Sequence, residues 1–380
     1  MREPIILTRR GWFALSGLLL ASSCGRKKGT GYSGYALIAT SGDDSLAVVD
    51  LTAFRLLDPI PLGASPTAVV PGGPAGQSYT LTPSTGSVHI LNADLKRVST
   101  RKLADEISGI RTTLDGKRLL AIAKSRQLIE ADATSLQVLR RNKLDGEPVD
   151  MDIGQGGYVA VSTGNQGTVE LFALGTGQHW RAQVSGKVGA VRFRGDGQLL
   201  LVANLHDRSI SVLSVPALEL VAELPLAMEP ENFCFNSDQG QLFVSGQGMD
   251  GVAIVFPYGI LEVEQTVLAG RDPGVMACSA NPAYLFVGSH SGSDICILDV
   301  NRRKVIGIVD AGHQPTYITI TPDSQYALVL DASAGVLAVI HVSVIRADFK
   351  AVSSKSGASL FTVLSVGDKP VHVAVVPRAI

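Results

Sequence analysis

One pattern of alternating apolar residues returns eight times along this chain of 380 residues, and its spacing leaves few folds open. The copies start at Ser45, Ser87, Gln127, Thr168, Ser209, Gly251, Asp294 and Val336, with successive offsets of 42, 40, 41, 41, 42, 43 and 42 residues. Within each copy the second and fourth positions are apolar, as in Leu46 and Val48, Ile210 and Val212, or Leu337 and Val339. A period of two belongs to a strand with two distinguishable faces. A second apolar run precedes each copy by a short polar turn, as at 36–39, 200–203 and 327–330, which makes the pair a hairpin.

A third run follows each copy, then a turn that often reads Gly, two residues, Pro, at Gly63 to Pro66, Gly312 to Pro315 and Gly367 to Pro370. Variants of that turn end at Pro148, Pro230 and Pro273, and a fourth run follows, often closing on Asp115-Gly116 or Asp196-Gly197. Four antiparallel strands per repeat make one propeller blade. The expected fold is therefore all-β, a single β-propeller of eight four-stranded blades over 34–380. Seven blades are the fallback, with the third repeat the weakest. The chain enters this cycle at the second strand of a blade and ends on 371–376, which matches a first strand. Its last strand is expected to complete the N-terminal blade and close the ring without a free edge.

The Gly-x-x-Pro turn, Pro322-Asp323-Ser324, Gly195-Asp196-Gly197 and Ile297-Leu298-Asp299 together resemble the YVTN-type β-propellers of bacteria and archaea, over 36–377. The resemblance implies the architecture and leaves the activity open, since such relatives include surface-layer proteins, exported binding proteins and lactonase-like enzymes. Eight blades depart from the seven common among them.

Residues 1–24 read as an export signal: Arg2, Arg9 and Arg10 precede a short apolar stretch over 12–21, too short to span a bilayer as a mature helix. Arg9 and Arg10, followed by Gly11, Trp12 and Phe13, resemble a twin-arginine motif without its usual Lys, so export of the unfolded chain stays open as the other route. Ala21-Ser22-Ser23-Cys24 resembles a lipoprotein processing site, with Cys24 as the lipid attachment point and 25–33 as a flexible tether. Simple cleavage after a small residue is the alternative. The expected location is the periplasmic or cell-surface side of the envelope. Removing 1–23 takes three Arg and one Glu with it and moves the net charge from -1 to -3.

A mildly acidic chain whose longest basic run is Arg26-Lys27-Lys28 lacks the clustered charge that nucleic acid requires. Beyond Cys24 there are Cys234, Cys278 and Cys296, widely spaced inside apolar runs, which read as small buried thiols with at most one bridge among them.

In a propeller the turns between the second and third strands share a face with the turns that lead into each innermost strand, and their polar residues converge around the axis. On this loop face the candidate ligand residues are His206, Asp207, Arg208, Arg271, Asp272, His290, His313, Asp368 and Lys369. His206, His290 and His313 with Asp207 or Asp272 would suit zinc or acid–base work. Against that, no local ligand spacing supports a site, and polar turn residues are ordinary. No metal, cofactor or catalytic residue is assigned. Tyr317 and His372, two residues after Pro315 and Pro370, and Asp150 and Asn232 at the matching places, either line the mouth of the central channel or serve as ordinary innermost-strand residues. Glu130 is charged where the other seven copies carry Val, Ile or Leu, and a slip of that strand by one residue would turn it outward. Trp180 reads as packing, and 347–359 as a mobile loop on the opposite face. The sequence contains no Gly-x-Ser-x-Gly elbow, Walker loop, HExxH or CxxCH.

The function these features favour is an exported, lipid-anchored binding or scaffold protein, monomeric, meeting an envelope protein or small ligand at its loop face. The alternatives are a lactonase-like hydrolase and a cofactor-carrying redox propeller using the same face.

Overall fold

A computed structural model describes residues 31–73, 76–164, 167–184, 186–345 and 360–378. Arg9, Arg10, Cys24 and the loop over 347–359 lie outside the described residues. The described strands form eight four-stranded antiparallel sheets, so the ring is an eight-bladed β-propeller, and the third repeat forms a regular blade like the others. We number the blades in chain order, with blade 1 containing Gly34–Thr40, Ser45–Asp50 and Arg55–Pro61.

Closure joins the two ends of the chain. The C-terminal strand Pro370–Pro377 pairs antiparallel with Gly34–Thr40, placing Leu37 opposite Ala374 and Ala39 opposite His372. It supplies the innermost strand of blade 1 and leaves no open edge there.

The core is divided among the interfaces between blades. Each of eight apolar clusters draws on two successive blades, as Leu201, Val212, Leu242 and Val244 do between blades 5 and 6. Second and fourth residues of the repeated strand face the next blade: Leu46 packs with Val69 of blade 2, and Val169 and Leu171 pack with Val191 and Leu200 of blade 5. The alternation read in the sequence is thus the alternation between two blade interfaces.

Glu130 departs from the expected slip. Gln127–Asp132 pairs in regular register with Arg118–Ala123, with Glu130 opposite Leu120. The carboxylate is therefore buried, 2% exposed, and ion-paired to Arg118. Arg118 reaches this interface from the neighbouring strand of blade 3, with its guanidinium close to Gly175 of blade 4. Glu170, also fully buried, enters from blade 4 and accepts the Asp145 backbone N–H at 2.9 Å. Between blades 3 and 4, two buried carboxylates replace part of the apolar packing used elsewhere, and the cluster there is short: Leu120, Ile122, Leu128, Leu144, Met151, Val159, Val161 and Phe172.

Candidate functional site

The loop face is built on a recurring device in which a hairpin carboxylate holds a neighbouring turn. Asp331 Oδ2 accepts the backbone N–H groups of His313 and, at 3.2 Å, Gln314. Asp43 Oδ2 accepts that of Asp368 at 2.7 Å, and Asp250 Oδ1 that of Asp272 at 2.9 Å. The glycine of the Gly-x-x-Pro turn makes room for this carboxylate. Gly312 and Gly367 have φ of 137° and 120°, and a Cβ on Gly312 would lie 2.5 Å from Asp331 Oδ2. A Cβ on Gly367 would collide with Asp43. The turn motif thus encodes a rigid rim.

The nine candidate residues spread around this rim. His206, Asp207 and Arg208 are exposed in the blade 5 hairpin, with Asp207 lying over Gly186. The carbonyl of Arg271 accepts from Ser289 Oγ at 2.8 Å, and that of Asp272 from the His290 N–H at 2.8 Å. Lys369 gives its carbonyl to Ser41. His313 stands out in solvent, its side chain 84% exposed. His290 lies inward: its ring covers Gly274 at the start of the innermost strand of blade 7, and its Nε2 sits 3.5 Å from Glu231 of blade 6. Among the described residues no group of three or more His, Cys, Asp and Glu could hold a metal ion.

A second set of side chains meets around the axis. In several blades the innermost strand opens with a register irregularity, as between Pro148 and Asp150 and between Pro315 and Tyr317. Beyond it, residues two and four places after the turn proline face the next blade beside the axis. In blade 4 these are Asp150 and Asp152. Asp150 Oδ2 accepts the Val191 N–H of blade 5 at 3.2 Å, and Asp152 Oδ2 accepts the Phe193 N–H at 2.9 Å. Arg192 of blade 5 ion-pairs with Asp150, and Arg111 of blade 3 approaches the same carboxylate from the other side, Nη2 to Oδ1 at 3.6 Å. Arg111 Nε also donates to the Met151 carbonyl. On blades 8 and 1, the Tyr317 and His372 rings meet at 4.3 Å with a 39° tilt.

These groups perturb one another. Burial alone would raise the Asp150 carboxyl, but the Arg192 and Arg111 charges outweigh it and hold it below the usual carboxylate range. Asp152 is pushed up by burial, which the same two guanidinium groups only partly offset. Burial, reinforced by the Arg111 charge, lowers His372 to about 4. Burial raises Tyr317 while Arg111 and Arg192 oppose it, so a tyrosine three blades from either arginine feels both charges.

Several donors there are unused. Among the described residues Arg111 Nη1 and Tyr317 Oη have no hydrogen-bond partner, and the Arg111 side chain is 38% exposed. His372 Nδ1 accepts weakly from the Val69 N–H at 3.5 Å, which leaves the proton of the neutral ring on Nε2. Arg111 and Arg192 carry no turn signal because blades 3 and 5 have Ile107 and Val188 where other blades have proline, and Asp152 lies four places after Pro148, beyond the position two places after the proline that the sequence marks.

Likeness to solved structures gives the fold. "Dihydro-heme d1 dehydrogenase NirN in complex with DHE" is similar with a TM-score of 0.72 at 15% identity, over 89% of this chain and 76% of that one. A functionally unknown protein from Desulfotomaculum acetoxidans DSM 771 is similar at 0.59 and 14% identity, over 74% and 96%. Kuenenia stuttgartiensis hydrazine synthase is similar at 0.57 and 17% identity, over 73% and 95%. No protein-family model and no curated protein matches the sequence. At these identities the likeness carries architecture alone.

Proposed function

We propose that this chain is an exported binding protein, held to the membrane by a lipid on Cys24, whose binding centre is the axial mouth of its loop face. The observation that carries the reading is the polar lining of the innermost strands, with Arg111 and Arg192 gathered around Asp150 on blades 3 to 5 and the Tyr317 and His372 rings in contact on blades 8 and 1. Rim carboxylates such as Asp43 and Asp331 are spent on holding turns, which makes the mouth preorganised and costs little on binding. The resemblance of the repeat to YVTN-type propellers, which include exported binding proteins, agrees with this reading. So does the presence of DHE in the NirN complex, a ligand bound to a protein of similar fold. A monomer with a small ligand at the axis is the simplest form of the proposal. A carrier of a larger cofactor would use the same mouth.

Native mass spectrometry of the protein recovered after export through its own signal tests both halves. A lipid mass is expected on an N-terminal Cys24, lost in Cys24→Ser. A small molecule retained by the native protein is expected to be lost in Arg111→Gln. A chain cleaved elsewhere without lipid refutes the anchor. A retained mass that survives Arg111→Gln and His372→Ala moves the binding centre away from the axis.

A further inference from the structure

The described chain starts at Gly31, packed so closely on the Leu51 and Thr52 carbonyls that a Cβ there would collide with both. The Tyr32 carbonyl then accepts from Thr52 Oγ1 at 3.3 Å, and the Tyr32 and Phe54 side chains pack on one apolar cluster at the seam between blades 8 and 1. Phe361, on the outer strand Leu360–Ser365 of blade 8, crosses that seam edge-on to Phe54, with ring centroids 5.0 Å apart. It is 43% exposed, and among the described residues no other phenylalanine is exposed. Val363 on the same strand and Val344 at the same end of blade 8 are exposed as well. Outer strands elsewhere also expose aliphatic side chains, as at Leu139 and Leu268, but on blades 3 and 6, away from the point where the chain enters the ring. Seven peptide units separate Gly31 from Cys24, a reach of at most about 25 Å when fully extended. Among the residues between them are Arg26, Lys27 and Lys28. The loop face, at the other end of the strands, is rich in carboxylates instead, among them Asp43, Asp44, Glu147, Asp250, Asp272 and Asp368.

We propose that the seam of blades 8 and 1 around Phe361, Val363 and Val344 docks on an anionic phospholipid bilayer, with Arg26, Lys27 and Lys28 against the headgroups and the loop face turned away. The proposal rests on the reading of Cys24 as a lipid anchor and adds which surface meets the membrane. A lipid fixes how far this seam can stand from the bilayer and leaves its orientation free. Apolar side chains at the exit of the tether and a basic run beside the lipid supply the orientation. The electrostatic part acts within a Debye length, about 8 Å at physiological salt, and Arg26 lies only two residues from Cys24. The carboxylates of the loop face are repelled by the same surface, which leaves the axial mouth open to its ligand.

Fluorescence quenching of the full exported protein, reconstituted in vesicles with brominated acyl chains, reads the docking. Once 1–23 are removed the one tryptophan is Trp180, on the outer strand His179–Gln183 of blade 4, across the ring. Wild type therefore reports that side, and Phe361→Trp adds an indole at the seam. In phosphatidylcholine with about 30% phosphatidylglycerol, bromination is expected to quench the Phe361→Trp protein at least about twofold more than wild type. In phosphatidylcholine alone, or with Lys27→Gln and Lys28→Gln, the difference is expected to shrink by roughly half or more. Val363→Trp is expected to give the same contrast and replaces Phe361→Trp should that variant disturb the packing on Phe54. Mass spectrometry of the same samples establishes the lipid on Cys24. Lipidated protein whose seam indole is quenched no more than Trp180 overturns the docking and leaves the anchor standing. Equal quenching with and without phosphatidylglycerol overturns the anionic partner. A chain without lipid on Cys24 removes the tether and overturns anchor and docking together.

Discussion

Asp43 and Asp368 lie 325 residues apart and are joined by a 2.7 Å hydrogen bond from the Asp368 backbone N–H to the Asp43 carboxylate. The bond clasps the turn that leads into the ring-closing strand onto the first hairpin of the chain. It works with the pairing of Pro370–Pro377 against Gly34–Thr40 and with the Gly42 N–H, which donates to the Asp368 carbonyl at 3.2 Å.

Weakening this clasp is expected to lower stability modestly. Asp43→Ala removes a charge-assisted bond worth about 1 kcal/mol, and Asp43→Asn retains part of it. Gly367→Ala costs more, roughly 2 kcal/mol, because it adds a left-handed backbone penalty to a collision with Asp43. Urea denaturation of the three variants measures the order. Asp44→Ala, whose side chain has no such role, is the comparison, and a Gly367→Ala protein as stable as wild type would refute the account.

The pair of Glu130 and Arg118 gives a second expectation. Glu130→Ala leaves Arg118 without its partner at an interface where only about a third of that arginine is exposed, and is expected to cost about 2–4 kcal/mol. Restoring the apolar residue of the other repeats while removing the cation, in Glu130→Leu with Arg118→Met, is expected to be near neutral or stabilising. The double-mutant cycle decides it. A double variant as unstable as Glu130→Ala would show that the carboxylate contributes something an apolar side chain cannot replace.

The architecture was legible because a propeller repeats one hydrophobic alternation at one spacing, and because a chain that starts in mid-cycle and ends on a first strand has one way to close. Half of the axial set was legible for the same reason: Asp150, Tyr317 and His372 sit two places after a turn proline. Arg111 and Arg192 escaped because no proline marks their register, and Arg192 runs into Phe193, Arg194 and Gly195, which read as the approach to a surface turn. Glu130 misled for a different reason. A charged residue at an inward position invites a register shift, but an arginine on the adjacent strand, Arg118, removes the need for one by supplying the counter-charge at the same interface.

The cysteines yield a third prediction. Cys234, Cys278 and Cys296 are free thiols that all belong to the packing between blades 6 and 7. Burial pushes Cys278 and Cys296 up to about 12 and Cys234 higher still, so almost no thiolate is present at neutral pH. In a Cys24→Ser protein a thiol-specific disulfide reagent is expected to leave all three unmodified in the native state and to titrate three in urea. Rapid labelling of any one under native conditions would show that this interface opens readily.

Acid provides the last test. His89 is 4% exposed, held between Thr82 Oγ1 at 3.1 Å and Thr100 Oγ1 at 2.9 Å, and burial reinforced by the Arg97 charge lowers it from 6.5 to about 4. His372 is lowered to about 4 by burial and by Arg111. A histidine with a depressed folded-state pKa takes up its proton first in the unfolded chain. Between about 6.5 and about 4 the unfolded state therefore holds the extra proton, and stability falls as the pH is lowered through that window. At about 1.4 kcal/mol per pKa unit, each histidine contributes a loss on the order of 2–3 kcal/mol by pH 4. Asp152 and Glu170, raised mainly by burial, act in the opposite sense, since the folded state gains their protons first. The comparison must therefore be between variants: His89→Gln is expected to flatten the decline between pH 6.5 and 4 relative to wild type, and adding His372→Gln to flatten it further. Parallel stability curves for wild type and the double variant would show that neither ring is held neutral by the fold.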